Sequence, residues 1–345
     1  MLEILTYFFG DKMTSPVFIM SSERSGTNLL RRTISKSQDV YYGPSPLHLL
    51  NHLYYAEPYY GDLNCDVNFK SFVKDGLGLA YEHFAPWDEL IDINEVLSRY
   101  DEFASGNRSS GGLMHVLNMI YVHRKGFKSY VCKDNNIFDY VSIILAELPA
   151  AKFIYLYRDP RDVVLSQLKR PLQIQEVVYL SKLWKNEQVS AIRAAKDLEK
   201  EGKLVAISYE DLIKDEAEEV SRICRFLNVV VQEEDKNLFS NESVEHHEWG
   251  NLNKPIMKNN TKKYLNELSK GELNKIESVC WHQMKWLCYM PLIKKPTKLS
   301  RLYTKISYYK ELVKLLLRTR FDKNGITESQ RKRINYTKKI ANKWR

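Results

Sequence analysis

Nowhere in its 345 residues does the chain hold an apolar run of the length that a membrane-spanning helix requires. Its opening stretch, Met1–Phe9, is too short and too poorly flanked to read as a secretory leader. Cysteine is scarce: five residues, at positions 65, 132, 224, 280 and 288, are odd in number and never spaced like a zinc knuckle. They read as reduced core thiols, so a cytoplasmic protein without a structural metal is expected. There is no internal repeat and no low-complexity tract. One further absence concerns chemistry. The nucleotide-binding loop G-x-x-x-x-G-K-[ST] needs a lysine after its second glycine, and none follows Gly26.

What is present is an ordinary globular composition, 44% apolar and 28% charged, in a length that suits one large α/β domain or two smaller ones. The net charge of +9 is unevenly spread. Residues 294–345 carry 17 Lys/Arg against 3 Asp/Glu, which leaves the rest of the chain mildly acidic. A nucleic-acid-binding catalytic domain is therefore not expected, and the basic tail needs a role of its own.

The segment Pro16-Val-Phe-Ile-Met-Ser-Ser-Glu-Arg-Ser-Gly-Thr-Asn-Leu-Leu30 passes from an apolar run through a polar turn into an amphipathic pattern. It reads as strand, anion-binding loop and helix. Glycine lets backbone approach a ligand closely, and a helix N-terminus offers unpaired N–H groups to negative charge. Arg24, Ser25, Thr27 and Asn28 add side-chain donors around Gly26.

Strand-like runs recur at Val17–Ser21, Tyr130–Lys133, Lys152–Tyr157 and Leu204–Ser208. Each is short and apolar without alternation, as strands covered on both faces of a parallel sheet are. Helical patterns fall at Leu29–Ile34, Gly112–His123, Ile137–Leu148, Asp162–Leu168, Ile174–Lys200 and Glu216–Leu227. The alternation predicts an α/β fold of three layers, a mostly parallel central sheet flanked by helices, with ligands at the carboxyl ends of the strands. Residues 41–110 lack periodicity and are rich in Tyr, Pro, Asn and Gly, so loops and short helices covering the site are expected there. The prolines at 291 and 296 mark a boundary between a domain over 14–292 and a basic, partly helical extension over 293–345.

A second strand-then-turn unit, Phe153-Ile-Tyr-Leu-Tyr-Arg-Asp-Pro-Arg-Asp-Val-Val-Leu-Ser166, puts Arg158 at the strand end and Ser166 eight residues on, in the next helix. Asp159 suits the N-cap and Pro160 the first helical turn. An arginine at a strand end with a helix hydroxyl makes a second anion site; a local Arg158–Asp pair with Ser166 facing the core is the alternative. Arg161 is either a further donor or a solvated charge.

Two anion sites on one sheet fit a nucleoside phosphorylated at both ends. Together they resemble the sulfotransferases that use 3′-phosphoadenosine-5′-phosphosulfate (PAPS). In that family an [RK]-S-G-T loop holds the 5′-phosphosulfate, and an R-[DN]-P-[RK]-D-x-x-x-S segment holds the 3′-phosphate. This chain has Arg24-Ser-Gly-Thr27 and Arg158-Asp-Pro-Arg-Asp-Val-Val-Leu-Ser166, and Ile207-Ser-Tyr-Glu-Asp-Leu212 matches the family's Tyr-Glu-Asp strand end. The resemblance implies a P-loop-like fold and PAPS as donor, without a metal. Arg24 would contact the phosphosulfate and leaving oxygen, and Ser25, Gly26, Thr27 and Asn28 would line the loop. Arg158 and Ser166 would take the 3′-phosphate, and Tyr209 the adenine side. The family's basic closing loop, often Arg-Lys-Gly, has no counterpart in its expected place. Lys254, Lys262 or Lys263 would substitute, or be solvated charges; Arg124-Lys-Gly126 lies too early.

Sulfuryl transfer asks for positioning and for charge stabilisation at the leaving oxygen, with a base near the acceptor hydroxyl. The glutamate that the Arg-Ser-Gly-Thr subgroup carries after its first helix is missing, and Ser45 falls near its place. His48 is the nearest group with a suitable pKa, unless it caps or packs in the lid. His52, Glu57, His246 and His247 are weaker candidates. Lys133-Asp134 at the second strand end either neighbours the transferred group or is a salt-bridged strand end. Tyr41, Tyr42, Tyr54, Tyr55, Tyr59 and Tyr60 suit a sugar or an aromatic acceptor, and suit a lid core equally; a carbohydrate or glycan-linked acceptor is expected.

The tail sets Ile306, Tyr309, Leu312, Val313, Leu316 and Leu317 on one helical face among Lys305, Lys310, Lys314 and Arg318. Such a helix lies on an anionic membrane surface or docks on the domain with its basic face solvated. Two rivals to sulfuryl transfer stand beside it. A nucleotide kinase shares the fold but needs the missing lysine and a Mg²⁺ site; a non-catalytic nucleotide- or glycan-binding module would keep the sheet and lack the base.

Overall fold

A computed structural model of the chain describes residues 14–83, 85–104, 108–170, 175–232, 238–239, 259–321 and 328–343. Its centre is a five-stranded, all-parallel sheet: β1 Val17–Met20, β2 Tyr41–Tyr42, β3 Ser129–Cys132, β4 Lys152–Tyr157 and β5 Leu204–Ser208, in the order β2-β3-β1-β4-β5. Strands β1 and β3 are buried end to end, as continuous apolar runs require when helices cover both faces. β2 escaped the sequence patterns because it is two residues long. Buried Gln38 sets it in place. Its Nε2 donates to the carbonyls of Ile34 and Tyr41, both at 2.7 Å, while Oε1 accepts from Val40 N and Tyr41 N, both at 2.6 Å.

The helices of the described residues are α1 Thr27–Lys36, α2 Leu49–Ala56, α3 Asp66–Tyr81, α4 Ile93–Phe103, α5 Ser110–Arg124, α6 Val141–Glu147 and α7 Pro160–Leu168. They continue as α8 Val177–Lys200, α9 Tyr209–Lys214, α10 Glu216–Leu227, α11 Tyr264–Glu267, α12 Lys270–Trp286, α13 Lys298–Phe321 and α14 Glu328–Lys343. The two-residue period of the strands divides the interior. Phe18, Met20, Tyr130 and Phe153 face the larger core, and Val17, Ile19, Val131 and Ile154 face a smaller one under α1, α9 and α10. Three layers result. The helix expected over Ile137–Leu148 is divided into a 3-10 turn, Ile137–Asp139, and α6. Asn136 ahead of it takes a left-handed φ of 59°.

Residues 41–110, expected as loops and short helices over the site, are more helical than that and reach into the core. They form α2, α3 and α4 and supply Leu53, Phe69, Phe72, Val73, Tyr100 and Phe103 to the larger core. The glycines that read as loop residues serve close packing instead. A Cβ at Gly78 would stand 1.9 Å from the Tyr336 hydroxyl of α14, inside any van der Waals contact.

The basic extension is docked through two helices. Glu311 of α13 accepts from Val178 N at 3.2 Å and Tyr179 N at 2.8 Å, capping the first turn of α8. Tyr308 stacks on Tyr179, and Lys314 pairs with Glu176 at 2.5 Å. α14 returns to α3, where Tyr336 shares Asp75 with Tyr60 and Ile340 is buried. Among the described residues no helix is long and apolar enough to cross a membrane.

Candidate active site

The β1–α1 loop leaves the middle of the sheet at the carboxyl ends of the strands, where neighbours lie on either side. It closes on two left-handed residues, Arg24 at φ 68° and Gly26 at φ 95°. For arginine this conformation is costly and is held by its surroundings. At Gly26 only glycine fits, because a Cβ would lie 2.4 Å from the Tyr209 ring. No side chain caps α1, so its first amides are left to a ligand.

The two anion motifs meet physically. Arg24 Nε donates to Ser166 Oγ at 3.1 Å. Arg158 Nη1 donates to the Arg24 carbonyl at 2.9 Å, and its guanidinium lies 4.1 Å above the Tyr209 ring. Arg158 thus bonds backbone carbonyls while also lying near enough to Asp162 to oppose the burial that raises its carboxyl, and Ser166 meets Arg24. Asn260 completes the group. Its carbonyl accepts from Arg158 Nη2 at 2.8 Å, and its Nδ2 donates to the Tyr209 hydroxyl at 2.7 Å. Ser25 Oγ and Arg158 Nε are buried in this wall without hydrogen-bond partners. Buried polar atoms are seldom left so, and two such donors around one loop fit an anionic ligand.

Asn260 was not singled out from the sequence, although it lies in the segment expected to close the site. Lys262 is exposed there; its backbone N and that of Tyr264 are held by Asp162 at 2.7 and 3.2 Å. Lys254, His246 and His247 lie outside the described residues. Thr27 is buried, and Asn28 Oδ1 accepts from Arg31 Nε at 3.0 Å, an interaction within α1 and not toward the loop. Arg161 is neither a further donor nor solvated. It is buried against Asp159 and Glu277, at 2.6 and 2.8 Å, and its charge is structural. Glu210 accepts from Asp159 N and from the Tyr289 hydroxyl, tying β4 to the end of α12. Glu57 accepts from Ser110 N at 2.7 Å, in the first turn of α5.

On the β3 side, Asp134 accepts the backbone N–H of His48 at 2.8 Å, and Asn135 N donates to His48 Nδ1 at 3.1 Å. A ring nitrogen accepting an N–H carries no proton, so neutral His48 holds its proton on Nε2. Asp134 Oδ1 stands 3.8 Å from the same Nδ1. His48 itself has a φ of 51° and packs edge-on to His83, ring centres 5.8 Å apart. Burial pushes the Lys133 ammonium below its ordinary pKa; Glu23 and Asp134 oppose that shift, and Arg31 and Arg24 add to it. Glu23 accepts from Asn135 Nδ2 and Arg170 Nη1, both at 2.7 Å. Beside Lys133 a narrow crevice, partly open to solvent, is lined on one side by Pro44, Pro46, Leu47, Leu49, Trp87 and Met114 and also by Ser45, Asn118, Lys133 and Asp134. Tyr41, Tyr42 and Tyr60 are core residues, whereas Tyr54, Tyr55 and Tyr59 are exposed.

Beneath the loop, Gln188 Nε2 donates to Ser22 Oγ at 2.6 Å. Its neighbour Glu187, also in contact with Ser22, has a buried Oε2 without a partner, and burial pushes its carboxyl up to about 7. Both residues sit in α8, whose pattern read simply as an amphipathic helix. Among the described residues no cluster of three or more His, Cys, Asp or Glu is arranged to hold a metal ion.

The family model described as "Sulfotransferase family" matches residues 16–233. Among solved structures, the sulfotransferase domain of the olefin synthase of Synechococcus PCC 7002 shares 18% identity, covering 78% of this chain and 96% of that one, at a TM-score of 0.50. The sulfotransferase domain of the curacin biosynthetic pathway shares 19% identity over 86% of this chain and 99% of that one, at a TM-score of 0.45. A mouse sulfotransferase, SULT7A1, complexed with PAP, shares 14% over 86% and 90%, at 0.43. The first likeness speaks to the fold. No curated protein matches the sequence.

Proposed function

The chain belongs to the sulfotransferase family and is an enzyme of that type, and from that premise we propose that it moves a sulfuryl group from PAPS to a hydroxyl acceptor. The observation that carries the donor assignment is the Arg24–Ser166 hydrogen bond, which makes one continuous wall of the loop and the second anion motif. Ser25 Oγ and Arg158 Nε, buried and without partners, supply donors for the two phosphate ends. PAPS brings an activated sulfate whose leaving group is a phosphate oxygen. Arg24, with Ser25, Gly26, Thr27 and Asn28 around the start of α1, neutralises charge on that oxygen. Arg158 and Ser166 hold the 3′-phosphate, and Tyr209 bounds the adenine side. Asn260 takes the place of the basic closing loop and offers an amide where other members offer a cation.

For the acceptor proton we keep His48. Its base form needs the proton on Nδ1 and the lone pair on Nε2. To reach that tautomer Nδ1 must give up the Asn135 N–H, 3.1 Å away, and donate instead to the Asp134 carboxylate, 3.8 Å from the same nitrogen. Lys133 stands beside the transferred group as its cation. The carbohydrate reading of the acceptor rested on the tyrosine cluster, three members of which are packed in the core. The apolar side of the crevice beside Lys133, formed by Pro44, Pro46, Leu47, Leu49, Trp87 and Met114, supports a hydroxyl on a largely apolar scaffold.

Transfer of labelled sulfate from PAPS, run in chelator against a panel of apolar alcohols, phenols and saccharides, tests both assignments. Transfer without metal supports the donor reading, and preference for the saccharides would overturn the acceptor class. Stabilisation by Mg-ATP and none by 3′-phosphoadenosine-5′-phosphate (PAP) would favour the kinase. PAP binding without transfer to any acceptor would favour the binding module.

A further inference from the structure

The docked helix α13 turns its apolar stripe outward. Leu299, Leu302, Ile306, Val313, Leu316 and Leu317 are between 47% and 77% exposed, and Tyr303 and Tyr309 beside them are more than half exposed. At 100° per residue these positions share one arc of the helix, while buried Thr304 lies on the opposite arc with Tyr308 and Glu311, which contact α8. The stripe is therefore not what holds the helix to the domain. An exposed, contiguous apolar band of this kind marks a surface that meets a partner.

Charge says which partner. Lys298 and Lys305 border one edge of the stripe, and Lys310 and Lys314 the other. The only acid of the helix, Glu311, is turned inward to cap α8. Lys182 of α8 extends the first edge: its ammonium lies 3.4 Å above the Tyr308 ring and is pushed below its ordinary pKa by burial and by nearby Lys185 and Lys305. Lys314 retains a pair with Glu176 while largely exposed. Two copies of such a face would set lysines against lysines. A bilayer of anionic phospholipid instead takes the stripe into its acyl boundary and meets both rims with phosphate.

We propose that the exposed face of α13 is a membrane-surface docking site, binding anionic phospholipid with the helix lying in the interfacial plane. This seats the enzyme on a membrane without spanning it. It is independent of the donor and acceptor assignments.

The full chain is floated with vesicles of phosphatidylcholine, with and without about 30% phosphatidylglycerol. Binding is expected to the anionic vesicles and to weaken with salt, and Lys305→Glu/Lys310→Glu should reduce it. Leu302→Glu/Ile306→Glu should weaken it roughly tenfold or more, with the unfolding midpoint unchanged because these side chains are exposed. Absence of binding to anionic vesicles would overturn the proposal, as would wild-type binding by the Leu302/Ile306 variant. So would a dimer in sedimentation equilibrium that this variant dissociates, which would give the face to a second copy.

Discussion

Arg24 and Ser166, 142 residues apart in the chain, are joined by a 3.1 Å hydrogen bond from the guanidinium Nε to the hydroxyl. The bond makes the β1–α1 loop and the α7 helix a single surface, and Arg158 reinforces it by donating to the Arg24 carbonyl. The left-handed φ of 68° at Arg24 is the conformation in which its side chain and its carbonyl serve two different partners.

Removing either end of that bond should have unequal effects. Arg24→Ala is expected to lower kcat by about 10²–10³, the usual cost of losing a charge-stabilising donor at a leaving oxygen. Ser166→Ala should raise KM for the donor roughly tenfold and leave kcat within a few-fold. Steady-state kinetics with PAPS as the varied substrate separate the two.

Gly26→Ala should be damaging although it adds one methyl group. The new Cβ would stand 2.4 Å from the Tyr209 ring at a φ of 95°, a combination of overpacking and backbone strain that costs about 1–3 kcal/mol. Chemical denaturation measures the loss. Adding Tyr209→Ala should recover part of it and leave PAP binding weak.

His48→Ala should lower turnover far more than PAP affinity. Asp134→Asn should do so too while its remaining oxygen keeps one of the two hydrogen bonds to the start of α2, because a neutral amide no longer favours the Nδ1–H tautomer. The kcat/KM profile against pH should lose its lower limb in the His48 variant. Equal turnover in both variants and wild type would remove His48 from the proton's path.

Glu187 makes stability fall as pH rises. Its carboxyl is raised from 4.5 to about 7 in the folded protein, so between these values the unfolded chain releases a proton that the folded chain keeps. The folded state is therefore penalised progressively through that window, by about 3 kcal/mol above it. Glu187→Gln should match wild type in unfolding midpoint near pH 4.5 and exceed it most above pH 7. Thermal unfolding across that range checks the sign.

The strands were legible because each is a short apolar run ending in a polar turn, and the two anion motifs because their residues are local to those turns. Tyr41–Tyr42 was not, since two residues carry no period and Gln38 supplies their order. Helix α3 hid behind Gly76 and Gly78, which admit neighbouring helices and look like loop residues in one dimension. Asn260 was invisible for another reason. Its partners lie 51 and 102 residues away, and nothing local distinguishes it from Asn259 beside it. The tail's helical period was plain in the sequence, but its outward direction depends on Glu311 reaching α8.

The central claim is that one wall grips a nucleotide at both of its phosphate ends, and calorimetric titration of PAP in chelator tests it most directly. Wild type should bind PAP, and Arg158→Ala should bind it about 30–100-fold more weakly, the cost of about 2–3 kcal/mol for losing a charged partner of a phosphate. Adenosine 5′-phosphosulfate, which lacks the 3′-phosphate, should bind wild type and variant alike. Equal PAP affinity in the two proteins, or an equal loss for both ligands, would contradict the claim.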